Sequence, residues 1–273
     1  MDFLSLREPL SAGSHGAWLM LSLPATLWLV FRGRNNRSKQ LSLLVYGLSL
    51  VACFGASALF HGMRLPGPQL DALAMVDHVG IYIMIAGTYT PIAWNLLSDR
   101  RRRSVLLLAW IGAGAGSTIQ LVCGQLPPWV STMLYLVMGW GAIFCYAEMG
   151  RVVPSKSLQL ILWGGLLYSV GAAINLLEWP VLWPGVFGSH ELFHVFVMAG
   201  SLAHFAFMLN VVAPQRSEGA GATLKAMHTP AAPRRQVGTG PSLVPIGVID
   251  QPRELQGPPW RAALNRWLPH SRP

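Results

Sequence analysis

The apolar residues of the chain come in long uncharged runs, divided by short clusters of charge. Such runs are what lipid demands, since a helix needs about 20 apolar residues to cross a hydrocarbon core about 30 Å thick. Seven candidate spans follow. The first, residues 9–31, carries the polar Ser11, Ser14, His15 and Ser22 and the kink-prone Pro24. The second covers 41–63, and the third 72–97 with Asp77 and His78 near its start. The fourth and fifth share one uncharged stretch, 104–147, divided by the breaker Gly124-Gln125-Leu126-Pro127-Pro128. The sixth covers 157–177 and the seventh 187–212. Each is long enough to span as a helix that satisfies its own backbone groups. The predicted fold is therefore all-α, a polytopic seven-transmembrane-helix bundle over residues 1–213.

The pattern changes at residue 214. Ten of the twenty prolines lie in 214–273, among Gly, Ala and Arg, so this tail is expected to be disordered. Within it, Trp260, Leu264, Trp267 and Leu268 fall on one helical face. That leaves a short interfacial helix and a solvated tail end as alternatives.

Composition narrows the picture. Of 273 residues, 52% are hydrophobic and 11% charged, against about 25% charged in soluble proteins, which excludes an ordinary soluble enzyme. The net charge of +9 does not imply a nucleic-acid partner, because the basic residues sit in the tail and in short clusters between apolar runs. Cys53, Cys123 and Cys145 lie in apolar stretches without CxxC spacing and read as core residues, with no disulfide framework or thiolate metal site. Residues 1–8 hold Arg7 against Asp2 and Glu8, so the basic region of a cleaved signal peptide is missing and the first run reads as a retained helix. Trp94, Trp129, Trp179 and Trp183 fall near span ends as interfacial anchors.

Charge also orients the bundle. The loops after the first, third and fifth spans hold Arg32, Arg34, Arg37, Lys39, Arg100 to Arg103, Arg151 and Lys156, while the opposite side has Arg7 and Arg64. The positive-inside rule then puts the N-terminus outside and the tail in the cytoplasm of an integral plasma or inner membrane protein.

Ionisable side chains inside spans are costly, and each is a functional candidate by default. Here they are His61, Asp77, His78, His190, Glu191, His194 and His204. The end of an even span and the start of the next odd span share one side. His61, Asp77, His190 and His194 therefore converge at one membrane depth. His190 and His194, four apart, project from one helix face about 6 Å apart, and Ser57 and His61 repeat that spacing. Three neutral imidazoles with one position left to water make the open tetrahedral site of catalytic zinc, and Asp77 is placed to orient a histidine or bind the water. His204, about 15 Å further along the helix, cannot share that ion and reads as an interhelical hydrogen bond. His78 points away from Asp77, and His15 is expected in an interfacial loop. His190-Glu191-Leu192-Phe193-His194 also matches the zincin pattern, with Glu191 as general base, but no downstream acid supplies a third ligand.

These residues together resemble the hemolysin III family. The matching stretches are Ser57-Ala-Leu-Phe-His61, Asp77-His78-Val-Gly-Ile-Tyr, Ala86-Gly87-Thr88-Tyr89-Thr90-Pro91, His190-Glu-Leu-Phe-His194-Val-Phe-Val and Ala203-His204-Phe205. Leu134 to Trp140 and Gly164 to Gly171 are also similar to its bacterial members, so the resemblance covers roughly residues 15–212. The family is related to the progestin and adipoQ receptors and more distantly to alkaline ceramidases. The resemblance implies a seven-helix membrane fold holding Zn2+ by His61, His190 and His194, with Ser57 and Asp77 in supporting roles. The residue at position 191 varies in that family, which sets the protease reading back. Adiponectin receptors are regarded as N-terminus inside, opposite to the charge count here.

The function expected is a zinc-dependent hydrolase of lipid amides or esters, with Asp77 accepting or shuttling the proton, Ser57 hydrogen-bonding at the site, and membrane lipids or a lipid-like substrate as partner. The alternative is a receptor, signalling or cytolysin-type membrane protein in which the zinc is structural.

Overall fold

The computed structural model describes residues 6–214; the helix over 260–268 and the other tail expectations lie outside the described residues. Among the described residues the fold is all-α. Its helices are α1 (Pro9–Arg32), α2 (Arg37–Gly62), α3 (Gly67–Leu96), α4 (Asp99–Cys123), α5 (Pro128–Trp140), α6 (Ile143–Met149), α7 (Ser155–Leu177) and α8 (Ser189–Phe207), the last running into a π-helical turn, Met208–Val212. Among the described residues seven spans are long and apolar enough to cross a membrane, with α5 and α6 forming one of them, Pro128–Met149.

Local chemistry sets the ends. Proline occupies the first turn of α1, α3 and α5, where its missing N–H costs nothing. The Asn36 side chain caps α2 by accepting from the Lys39 N–H at 2.9 Å. The expected breaker ends α4 at Cys123, with Gly124 at φ +74° and Pro127 and Pro128 beyond it, a backbone angle that favours glycine.

The fourth and fifth spans differ from the sequence expectation. Arg100 to Arg103 form the first turn of α4 rather than a loop, because hydropathy marks only the part of a helix that crosses lipid while arginine continues a helix readily. Arg101 there reaches back to Glu148 at 3.1 Å, and the Arg102 guanidinium lies 4.8 Å over the Trp94 ring. The fifth span is split at Gly141 and Ala142. Of the three cysteines read as core, Cys53 and Cys145 are buried but Cys123 is exposed. It is the last residue of α4, and apolar context in a membrane span does not separate lipid-facing from core positions.

α1 explains its own weak hydropathy. Ser11, His15, Ser22 and Thr26 are buried, while Met20, Leu21, Leu23, Leu27, Trp28 and Phe31 are exposed. The polar stripe faces the bundle and the apolar one faces outward, the arrangement lipid imposes. Small residues let the helices approach closely. A Cβ on Gly164 of α7 would lie 2.3 Å from Cδ2 and Nε2 of His204 on α8. That ring is held by the Ile161 carbonyl, 3.2 Å from Nε2, which is the interhelical bond expected of His204. Gly164→Leu should therefore destabilise the bundle by about 1–3 kcal/mol through overpacking. Thermal unfolding in detergent checks this against Gly114→Leu, where nothing lies within 4 Å of the added carbon and little change is expected.

Candidate metal centre

The three predicted histidines meet. His61 is one residue from the end of α2, and His190 and His194 lie in the first two turns of α8. Their ring centroids are 4.6 to 5.0 Å apart, and one nitrogen from each lies within 4.8 Å of the others. His61 and His194 are almost fully buried. Asp77 of α3 joins them, its Oδ2 4.0 Å from His61 Nε2. It does so from further inside its helix than expected, because α3 begins at Gly67 rather than at residue 72.

What each imidazole does with its other nitrogen decides where its lone pair points. His61 Nδ1 meets the Glu8 carboxylate, and His190 Nδ1 lies 2.9 Å from the Asn175 carbonyl oxygen on α7. Both partners only accept at those atoms, so both Nδ1 atoms carry the hydrogen. His194 Nδ1 lies 3.4 Å from the Ser14 hydroxyl, which itself donates to the Ser11 carbonyl at 3.0 Å. The serine is therefore an acceptor there too. All three rings thereby carry their hydrogen on Nδ1, and in the neutral form leave Nε2 unprotonated, the state in which histidine ligates a metal. His61 Nε2 and His190 Nε2 face each other across 3.3 Å. This donor set fits a zinc ion: neutral imidazole nitrogens, three in number, from two helices.

α1 contributes more than the sequence indicated. His15, expected in an interfacial loop, is a buried residue of α1. It faces inward because the first span is polar on its bundle side. Its ring stacks on His194 at 3.6 Å and 7°, and its Nδ1 lies 2.8 Å from the Ser57 hydroxyl. Ser57 thus sits between His15 and Asp77. Glu8 was not singled out from sequence either. Its hydrogen bond with His61 holds its carboxyl below the usual carboxylate range. The available signal was the spacing of Glu8, Ser11, Ser14 and His15, one helical face of polar groups at the start of a membrane span.

Glu191 is occupied elsewhere. Its Oε2 accepts the Gly188 N–H at 2.9 Å, capping its own helix, and its Oε1 accepts from Ser11 at 2.9 Å. That leaves no carboxylate free for the protease pattern. His78 bonds the Ala74 carbonyl of its own helix at 2.7 Å.

From the triad a cavity of about 620 Å³ extends into the bundle between α3, α5 and α7. Ser57, Asp77 and the histidines line it, and its other walls are mostly apolar, among them Ile81, Met84, Ile85, Ile92 and Leu136.

A family profile, haemolysin-III related, matches residues 3–205. The chain is 30% identical over 209 residues to a hemolysin-3 homolog of Bacillus subtilis (strain 168), covering 76% of this chain and 95% of that protein. It is likewise 30% identical over 212 residues to hemolysin-3 of Bacillus cereus, 77% and 94%. More distantly, it is 28% identical over 173 residues to the heptahelical transmembrane protein ADIPOR1 of Oryza sativa subsp. japonica, covering 56% of this chain and 45% of that one.

Proposed function

Because the chain belongs to the haemolysin-III related family of multi-pass membrane proteins, we propose that it is a zinc-dependent hydrolase of lipid amides or esters. The observation that carries the metal is the pair of facing Nε2 lone pairs on His61 and His190, 3.3 Å apart. Two neutral imidazole nitrogens that close need a proton or a metal ion between them, and the third nitrogen, on His194, completes a donor set for the metal. Zinc at such a site supplies Lewis acidity to a carbonyl oxygen and lowers the pKa of water to about 7.

The chain's own groups supply the rest. Asp77, lining the cavity beside the triad, takes the proton of a water adding to the acyl carbon. It returns that proton to the amine or alcohol as the C–N or C–O bond breaks. Ser57, held by His15, is a hydrogen-bond donor for the carbonyl oxygen. The apolar cavity walls seat an acyl chain, which leaves lipid tails for an equally apolar surface and so enters at little cost. The excess of basic residues in the loops on the opposite face favours a triad that faces away from the cytoplasm.

The test is zinc content of detergent-purified protein followed by hydrolysis of a panel of long-chain acyl amides and esters. One ion per chain and turnover of one substrate class is the expected result; loaded protein inert across the panel would overturn the enzyme. A structural ion is the rival reading, favoured by the way the triad bridges the ends of α2 and α8. Chelation separates them. A catalytic ion should leave a folded, inactive bundle with its helical circular dichroism intact. A structural one should leave a bundle with a markedly lower unfolding temperature, as metal-linked folding requires.

A further inference from the structure

Glu8 lies outside every helix, on the turn before α1, yet it touches the most buried imidazole of the triad but one. We infer that Glu8 is the carboxylate partner of a metal-ligating His61, a positioning residue brought to the centre by a strap that the N-terminal segment makes across the end of α2. The inference rests on the reading of the triad as a metal site.

The placement is built into the backbone. The Glu8 N–H donates to the His61 carbonyl at 3.0 Å and the Arg7 N–H to the Gly62 carbonyl at 3.3 Å. The Arg64 guanidinium donates to the Leu6 carbonyl at 3.0 Å, and the Arg7 guanidinium lies 4.3 Å over the Phe60 ring. The residue that bonds the His61 side chain also bonds the His61 main chain, and its other carboxylate oxygen lies 3.2 Å from the Arg7 guanidinium, which anchors the carboxylate beside the ring. Pro9 narrows it further by fixing the next backbone angle.

The chemistry follows from the geometry. A carboxylate accepting from Nδ1–H orients the ring, excludes the other tautomer and makes Nε2 a better donor to a cation. Asn175 and Ser14 orient the other two rings as neutral acceptors, so Glu8 is the group in that outer ring that brings charge. With Asp77 it offsets the double charge an ion would introduce among neutral imidazoles.

The experiment is a zinc affinity titration of the full chain in detergent, by competition with a chromophoric chelator. Wild type is compared with Glu8→Gln, Glu8→Ala and Arg64→Ala. Glu8→Ala should weaken zinc binding by about 10–100-fold and Glu8→Gln by the lower part of that range, the cost typical of losing such a partner. Arg64→Ala removes one outer bond of the strap and leaves the two backbone bonds that hold Glu8 and Arg7 to the end of α2, so it should bind as wild type does. The cobalt-substituted protein should show shifted ligand-field bands in Glu8→Gln, while its metal-free unfolding temperature stays near that of wild type. If Arg64→Ala lost as much affinity as Glu8→Ala, the segment would be acting only as a staple and the inference would fall. If both Glu8 variants bound zinc like wild type, it would fall alone. A wild-type protein that binds no zinc would remove the metal reading and this inference with it.

Discussion

His194→Ala should lose the metal and, with it, all turnover of any acyl amide or ester the protein hydrolyses. His194 is nearly fully buried, stacked on His15 and one of three donors within 4.8 Å of one another. Removing it leaves two nitrogens from two helices, too few to hold zinc against water. The loss in affinity should exceed the roughly 100-fold that removal of an outer partner costs. Atomic absorption on dialysed wild type and variant checks the metal. Thermal unfolding of both metal-free proteins checks that the bundle persists. A variant that retained one ion per chain would remove the triad from the metal site.

Asp77→Asn should behave in the opposite way, keeping its zinc while its turnover falls by about 10²–10⁴-fold, the range for loss of a general base. Its Oδ2 is 4.0 Å from His61 Nε2 and its neighbours include Ser57, beside the donors rather than among them. The amide keeps the shape and removes the ability to take a proton. The distinction is read by measuring zinc content and kcat on the same preparation. Loss of the metal together with the rate would make Asp77 a fourth ligand instead of a base. Full activity in the variant would take the proton transfer away from it.

The contrast between what was and was not legible in the chain follows from the solvent. Span existence was readable because lipid forces uninterrupted apolar length, and alternation of sides then put His61, Asp77, His190 and His194 at one level without any coordinates. Helix ends were less readable where charged residues simply continue a helix, as at Arg100 to Arg103. The break at Gly141 in the fifth span left no mark in hydropathy, since neither charge nor proline accompanies it. The outer ring of the site was hidden for a related reason. Ser14, His15 and Asn175 are ordinary polar residues in sequence, and their importance comes from facing inward on α1 and α7. Glu8 lies before the first apolar run, where a search for costly intramembrane charges stops.

The donors of this centre are far apart along the chain, His61 and His190 being separated by 129 residues. During synthesis the first of them enters the bilayer five spans before the other two. A nascent chain halted anywhere ahead of α8 therefore holds one of the triad's three imidazoles and no centre. Metal acquisition must come after insertion of the last helix, so a truncation that removes α8 leaves a protein still threaded through the membrane but never competent to be loaded.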